Sequence, residues 1–126
     1  MNDRELLEMA AKAAGYAFKW GINTILVADV GRSDFCFASA DPTDDVIDLV
    51  EWSPLTDDSD ALRLAVKLGL VVCIMKDAGL TGVYIPAEHI GGKYDAGETY
   101  YLTDPYAATR RAIVRAAAEI GRTMKE

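Results

Sequence analysis

Glu51 to Leu70 constrains the possible fold more than any other stretch of this chain. It joins an aromatic anchor, a turn, a helix start, a helix and a helix stop. Trp52 stands before Ser53-Pro54, and the proline forces Ser53 into extended backbone. Thr56 or Asp58 is the expected helix cap, with Asp57, Asp58 and Asp60 around the positive helix end. Ala61, Leu62, Ala65, Val66 and Leu68 form the expected apolar stripe. Arg63 and Lys67, four apart, fall on the wet side in the half that suits the dipole. Gly69 ends the helix.

Two more helices frame this one. Residues 2–14 follow a capping box, Asn2 with Glu5 three residues on. Their stripe is Leu6, Met9, Ala10, Ala13 and Ala14, predicted to lie on a sheet, and Gly15 ends the helix. Asp104-Pro105 opens the last helix, with aspartate as cap and proline at the first helical position. It is predicted to run from Pro105 to about Met124, with Tyr106, Ala107, Ile113, Val114, Ala117, Ile120 and Met124 as its apolar stripe.

The remaining segments read as strands. Tyr16, Phe18 and Trp20 alternate with Ala17 and Lys19 in the half-buried strand pattern. Gly21-Ile22-Asn23 turns into a β-branched run from Thr24 to Val30. Phe35 to Ala38 is a third short strand, which makes residues 16–38 an antiparallel meander. Val46 to Val50 is a short strand or a helical turn, since five residues do not fix a period. Leu70 to Met75 is almost wholly apolar and is expected at the centre of a sheet. Asp77-Ala78-Gly79 turns into a strand from Thr81 to Ile85. Residues 86–98 read as a long loop, and Thr99 to Leu102 as a further strand. The order predicts a single α/β domain over residues 1–126, of the α+β kind. Its mainly antiparallel sheet is flanked by N-terminal, central and C-terminal helices as an α/β/α sandwich.

Net charge −7 argues against general nucleic-acid binding, because a phosphate backbone demands a basic surface. The apolar runs are too short to span a membrane. Residues 1–14 begin with Asn, Asp, Arg and Glu rather than a basic segment and an apolar core, so the expected location is cytosolic. Cys36 and Cys73 both sit in apolar runs and are expected as buried free thiols. A disulfide between them requires Cα atoms within about 7 Å.

Three blocks carry a resemblance: Asn2 to Gly15, Trp52 to Ala65 and Asp104 to Ile113. Together they look like the phage ABA-sandwich domain, and the central turn is similar to that of the NinX-like phage proteins. Residues 17–50 and 86–98 lie outside the resemblance. It implies a phage-encoded α/β/α sandwich acting in the cytosol of an infected host, without enzyme activity. Some small phage proteins of similar layout, such as the Thoeris anti-defence sponge, sequester a cyclic nucleotide immune signal.

The candidate ligand-binding residues are Arg110, Arg111, Arg115, Tyr106 and Trp52. Guanidinium forks suit phosphate oxygens. Arg111, Arg115 and Arg122 share one helix face by spacing, and Arg110 flanks it. The alternative is a solvated face paired with acids such as Glu119. Trp52 and Tyr106 can stack on a base, although a tryptophan before a proline turn also serves as a core anchor. Asp57, Asp58 and Asp60 offer oxygen ligands to Mg²⁺ or Ca²⁺, but helix capping explains them as well. His89 is the one histidine, and no nucleophile signature stands beside it. No catalytic residue, metal or cofactor is therefore expected.

These observations support two functions. One is a non-catalytic phage protein that sequesters a cyclic nucleotide, with a homo-oligomer forming its pocket. The other is an acidic protein that inhibits a host defence effector, such as a CRISPR complex, by direct contact.

Overall fold

The computed structural model describes residues 2–29, 49–86, 94–99 and 104–124. The elements are α1 (Asp3–Ala13), β1 (Tyr16–Trp20), β2 (Ile25–Asp29), β3 (Val50–Trp52), α2 (Asp58–Leu68), β4 (Val71–Met75), β5 (Leu80–Ile85), β6 (Tyr94–Thr99) and α3 (Pro105–Thr123). Among the described residues, three helices and antiparallel strands make a mixed α+β domain, as the pattern of elements predicts. The strands form, among the described residues, two three-stranded sheets, ordered β1-β2-β3 and β4-β5-β6, rather than one. No helix among the described residues is long and apolar enough to cross a membrane.

Local chemistry sets the helix ends. The Asn2 side chain accepts from the Glu5 N–H at 2.8 Å, capping α1. Asp104 accepts from the Tyr106 N–H at 2.9 Å and is followed by proline, so α3 starts where expected. Asp57, rather than Thr56 or Asp58, caps α2 through the Ser59 N–H at 2.9 Å. Gly15, Gly69 and Gly79 take positive φ, the conformation that stops a helix or closes a tight turn without a Cβ clash.

α3 is the centre of the molecule. Its buried residues include Ala108, Ala112, Ile113, Val114, Ala116, Ala117, Ala118, Ile120 and Gly121, a far broader face than one stripe, with Arg111, Arg115, Glu119 and Arg122 on the less buried side. α1, α2, β5 and β6 all pack on it. Tyr106 and Met124, expected in the stripe, are exposed near its two ends. α1 makes its broadest contact with α3, not with a sheet, and touches β1 less. The two helices approach closely: a Cβ added at Gly121 would lie 1.9 Å from the Met9 carbonyl oxygen. Small side chains on both helices, with Ala10, Ala14 and Ala117 buried, let the backbones come together.

Other expectations are corrected by the packing. In α2 the buried stripe is Ala61, Leu64, Ala65 and Leu68, while Leu62 and Val66 are 63% and 71% exposed. Among the described strands β4 lies at an edge, not at the centre, and β5 lies between β4 and β6. Thr81, Val83 and Ile85 of β5 are buried, whereas Val71 and Ile74 of β4 are exposed. Cys73 is exposed and free rather than buried. Residues 94–98, read as loop, belong to β6 together with Thr99, and the rest of the expected strand at Thr99–Leu102 lies outside the described residues. β2 pairs on its second side with β3, Ile25 opposite Trp52, so Val50 belongs to a strand. The expected strand at Phe35–Ala38, together with Cys36, His89, Tyr100 and Tyr101, lies outside the described residues.

Candidate functional site

The turn before α2 positions one wall of the site. Ser53 carbonyl accepts from the Thr56 N–H at 3.0 Å and the Asp57 N–H at 2.7 Å, closing the turn around buried Pro54. Asp60 reaches back to accept from the Ser53 N–H at 2.9 Å, so helix and turn are tied together. Arg110 comes in from α3, fifty-five residues along the chain. Its Nε donates to the Leu55 carbonyl at 2.9 Å, and its Nη1 donates to Asp58 Oδ1. Its side chain is 16% exposed, which makes it a partly desolvated clamp rather than a surface charge.

Beyond that clamp, α2, β4 and α3 enclose a groove of about 570 Å³. Ala61, Leu62, Val72, Ile74 and Ile113 supply apolar walls. Lys76, Arg110, Asp58, Thr109 and an exposed Tyr106 add polar groups. An apolar cleft of this size with a few polar groups has the general form of a small-ligand site.

The five residues predicted from the sequence do not form one site. Tyr106 and Arg110 both line the groove. Arg111 turns to α1, where Nη2 donates to Asp3 Oδ1 at 3.0 Å. Arg115 lies one turn further along α3 and is half-buried. Arg122 pairs with Glu119 of its own helix, the alternative foreseen for these charges. A helix packed on several neighbours cannot present its arginines as one free face.

Trp52 is 6% exposed and meets the Tyr16 ring edge-on, with centroids 5.5 Å apart and planes at 89°. It is packed as a core anchor. It also borders a separate cavity of about 440 Å³ with Trp20, Glu51, Asp57 and Asp60. The acids around that cavity already have roles. Asp57 caps α2, and Asp60 holds Ser53 and accepts from Arg63 at 3.2 Å. Among the described residues no group of three or more His, Cys, Asp or Glu is placed to hold a metal ion. On the outer side of β1, Trp20 Nε1 donates to Glu8 at 2.6 Å, and the Arg4 guanidinium lies 4.2 Å from the Trp20 ring centroid.

Leu62, Val72, Ile74 and Lys76 were not singled out as site residues by the sequence reading. One signal was present: Leu62 and Val66 are an i, i+4 pair off the Ala61–Leu68 face. Merged with that face, they pass as core. Searches for related proteins matched no family model, no curated protein and no solved structure.

Proposed function

We propose that this is a non-catalytic phage protein that sequesters a cyclic nucleotide immune signal in the groove between α2, β4 and α3. The observation that carries the reading is the groove itself, where Tyr106 and Arg110, two of the expected ligand residues, stand beside Lys76. A base would lie on the apolar walls and against Tyr106, and a phosphate would meet Lys76 and the guanidinium N–H groups of Arg110 that Leu55 and Asp58 leave over. The Asp58 and Leu55 contacts hold Arg110 in place, so little side-chain freedom is lost on binding. The setting proposed is the cytosol of an infected host.

Isothermal titration with a panel of cyclic nucleotides, cyclised ADP-ribose among them, tests the reading. Binding is expected, weakened about tenfold in Tyr106→Ala and in Lys76→Ala. No heat from any member of the panel would sink it.

A second reading is direct inhibition of a host defence effector. Leu62, Val66 and Ile74 favour it, since together they make an exposed apolar surface at and beside the groove. A stoichiometric complex with a CRISPR effector, combined with silence toward nucleotides, would select this reading over the first.

A further inference from the structure

The groove between α2, β4 and α3 carries charge of both signs. Lys76 and Arg110 line it as cations, and Asp58 lines it as an acid. Asp58 and Arg110 are bonded to each other, with Arg110 Nη1 donating to Asp58 Oδ1. An anion that takes the remaining N–H groups of Arg110 therefore shares one guanidinium with a carboxylate. The guanidinium is a compact planar group, so the two anions stand side by side. The hydrogen bond that caps α2 comes from Asp57, which leaves the Asp58 side chain to the groove.

We propose that Asp58 is a specificity-determining residue of the groove. It selects a phosphate with one negative charge, a ring-closed phosphodiester, over the doubly charged phosphate of a linear nucleotide. This inference rests on the reading of the groove as a nucleotide site. The apolar walls and Tyr106 cannot make the distinction, because linear and cyclic nucleotides carry the same bases. Phosphate charge does differ between them. A diester has one ionisable oxygen, whereas a monoester carries about −1.5 to −2 at neutral pH, its second pKa lying near 6.

Beside Asp58 the second charge of a monoester meets a like charge, which weakens binding. Among the described lining residues, two cations and one acid leave a single positive charge, and one diester phosphate balances it. The Asp58 side chain is 67% exposed, so water screens the repulsion. A preference of about tenfold is expected, rather than exclusion.

Isothermal titration with matched pairs tests the assignment, using the 3′,5′-cyclic monophosphate and the 5′-monophosphate of each common base. The ratio of affinities within a pair is the readout, since a loosened Arg110 would weaken both members alike. In the unaltered chain the cyclic member is expected to bind about tenfold more tightly at about pH 8. Asp58→Asn keeps the shape and removes the charge, and is expected to bring the ratio close to one by tightening the 5′-monophosphate. Asp58→Glu keeps the charge and is expected to keep the preference. Lowering the pH to about 5.5 takes the second charge from most of the monoester. The ratio is expected to shrink there in the unaltered chain and to stay put in Asp58→Asn. The charged groups around the phosphate are Asp58 from α2, Lys76 from β4 and Arg110 from α3. A ratio near one in the unaltered chain, or a ratio indifferent to Asp58→Asn, overturns the assignment. Silence from every pair while another cyclic nucleotide binds also overturns it, and leaves the nucleotide reading standing. Silence from every nucleotide takes both down.

Discussion

β4 and β5 form one hairpin and meet opposite fates. β4 is the more apolar strand, five residues without a hydroxyl or a glycine, and it is mostly exposed. β5 contains a threonine, a glycine and a tyrosine, yet Thr81, Gly82, Val83 and Ile85 are buried. Place in the sheet makes the difference. Among the described residues β5 has a strand on each side and α3 packed on it, whereas β4 pairs with β5 alone. Apolar composition in a strand therefore does not by itself report burial; its place in the sheet does.

Replacing one side chain in each strand measures that contrast. The largest effect is expected at Ile85, which is fully buried beneath α3. Ile85→Ala removes most of that side chain and leaves a cavity, and should cost about 2–5 kcal/mol in urea unfolding. A loss under 1 kcal/mol, on the order of a surface change, would break the comparison.

Thr81 sharpens it. Its Oγ1 donates to the Cys73 carbonyl at 3.2 Å, a buried side chain reaching across the hairpin. Thr81→Val keeps the shape and removes the donor, so a loss of about 1 kcal/mol is expected. An unchanged midpoint would mean that the hydroxyl contributes nothing to holding the strands together.

The smallest effect is expected at Ile74, the exposed counterpart. Ile74→Ser should change stability by no more than about 0.5 kcal/mol in the same urea unfolding. A loss as large as that at Ile85 would show that β4 is core, and the contrast would collapse.

Much of the fold was legible in the residues, and the reasons are local. Asn2 with Glu5, Asp104 with Pro105, and Gly69 after Leu68 act within a few positions, so they mark helix ends wherever the chain goes. The candidate site was legible only in part. Tyr106 and Arg110 were named, and both line the groove. Arg111 was named with them, but one step along a helix turns a side chain by about 100°, which carries it to α1 instead of α2. Trp52 was ambiguous between anchor and stacking platform, and Tyr16 decides for anchor. Leu62 and Val66 share their apolar character with Leu64 and Ala65, so only a neighbouring surface separates the buried pair from the exposed one.

By itself the sequence determined where helices and turns begin and end, and that strands and helices share one mixed domain. Those features rest on hydrogen bonds and backbone preferences spanning a few residues. The tertiary structure alone decided that the described strands form two sheets, that α3 lies at the centre and that β4 lies at an edge among those strands. It also decided that Arg110 meets Leu55 and Asp58 across more than fifty residues. Burial depends on what arrives from distant parts of the chain, and two strands of similar apolar character separate only once a helix covers one and leaves the other bare.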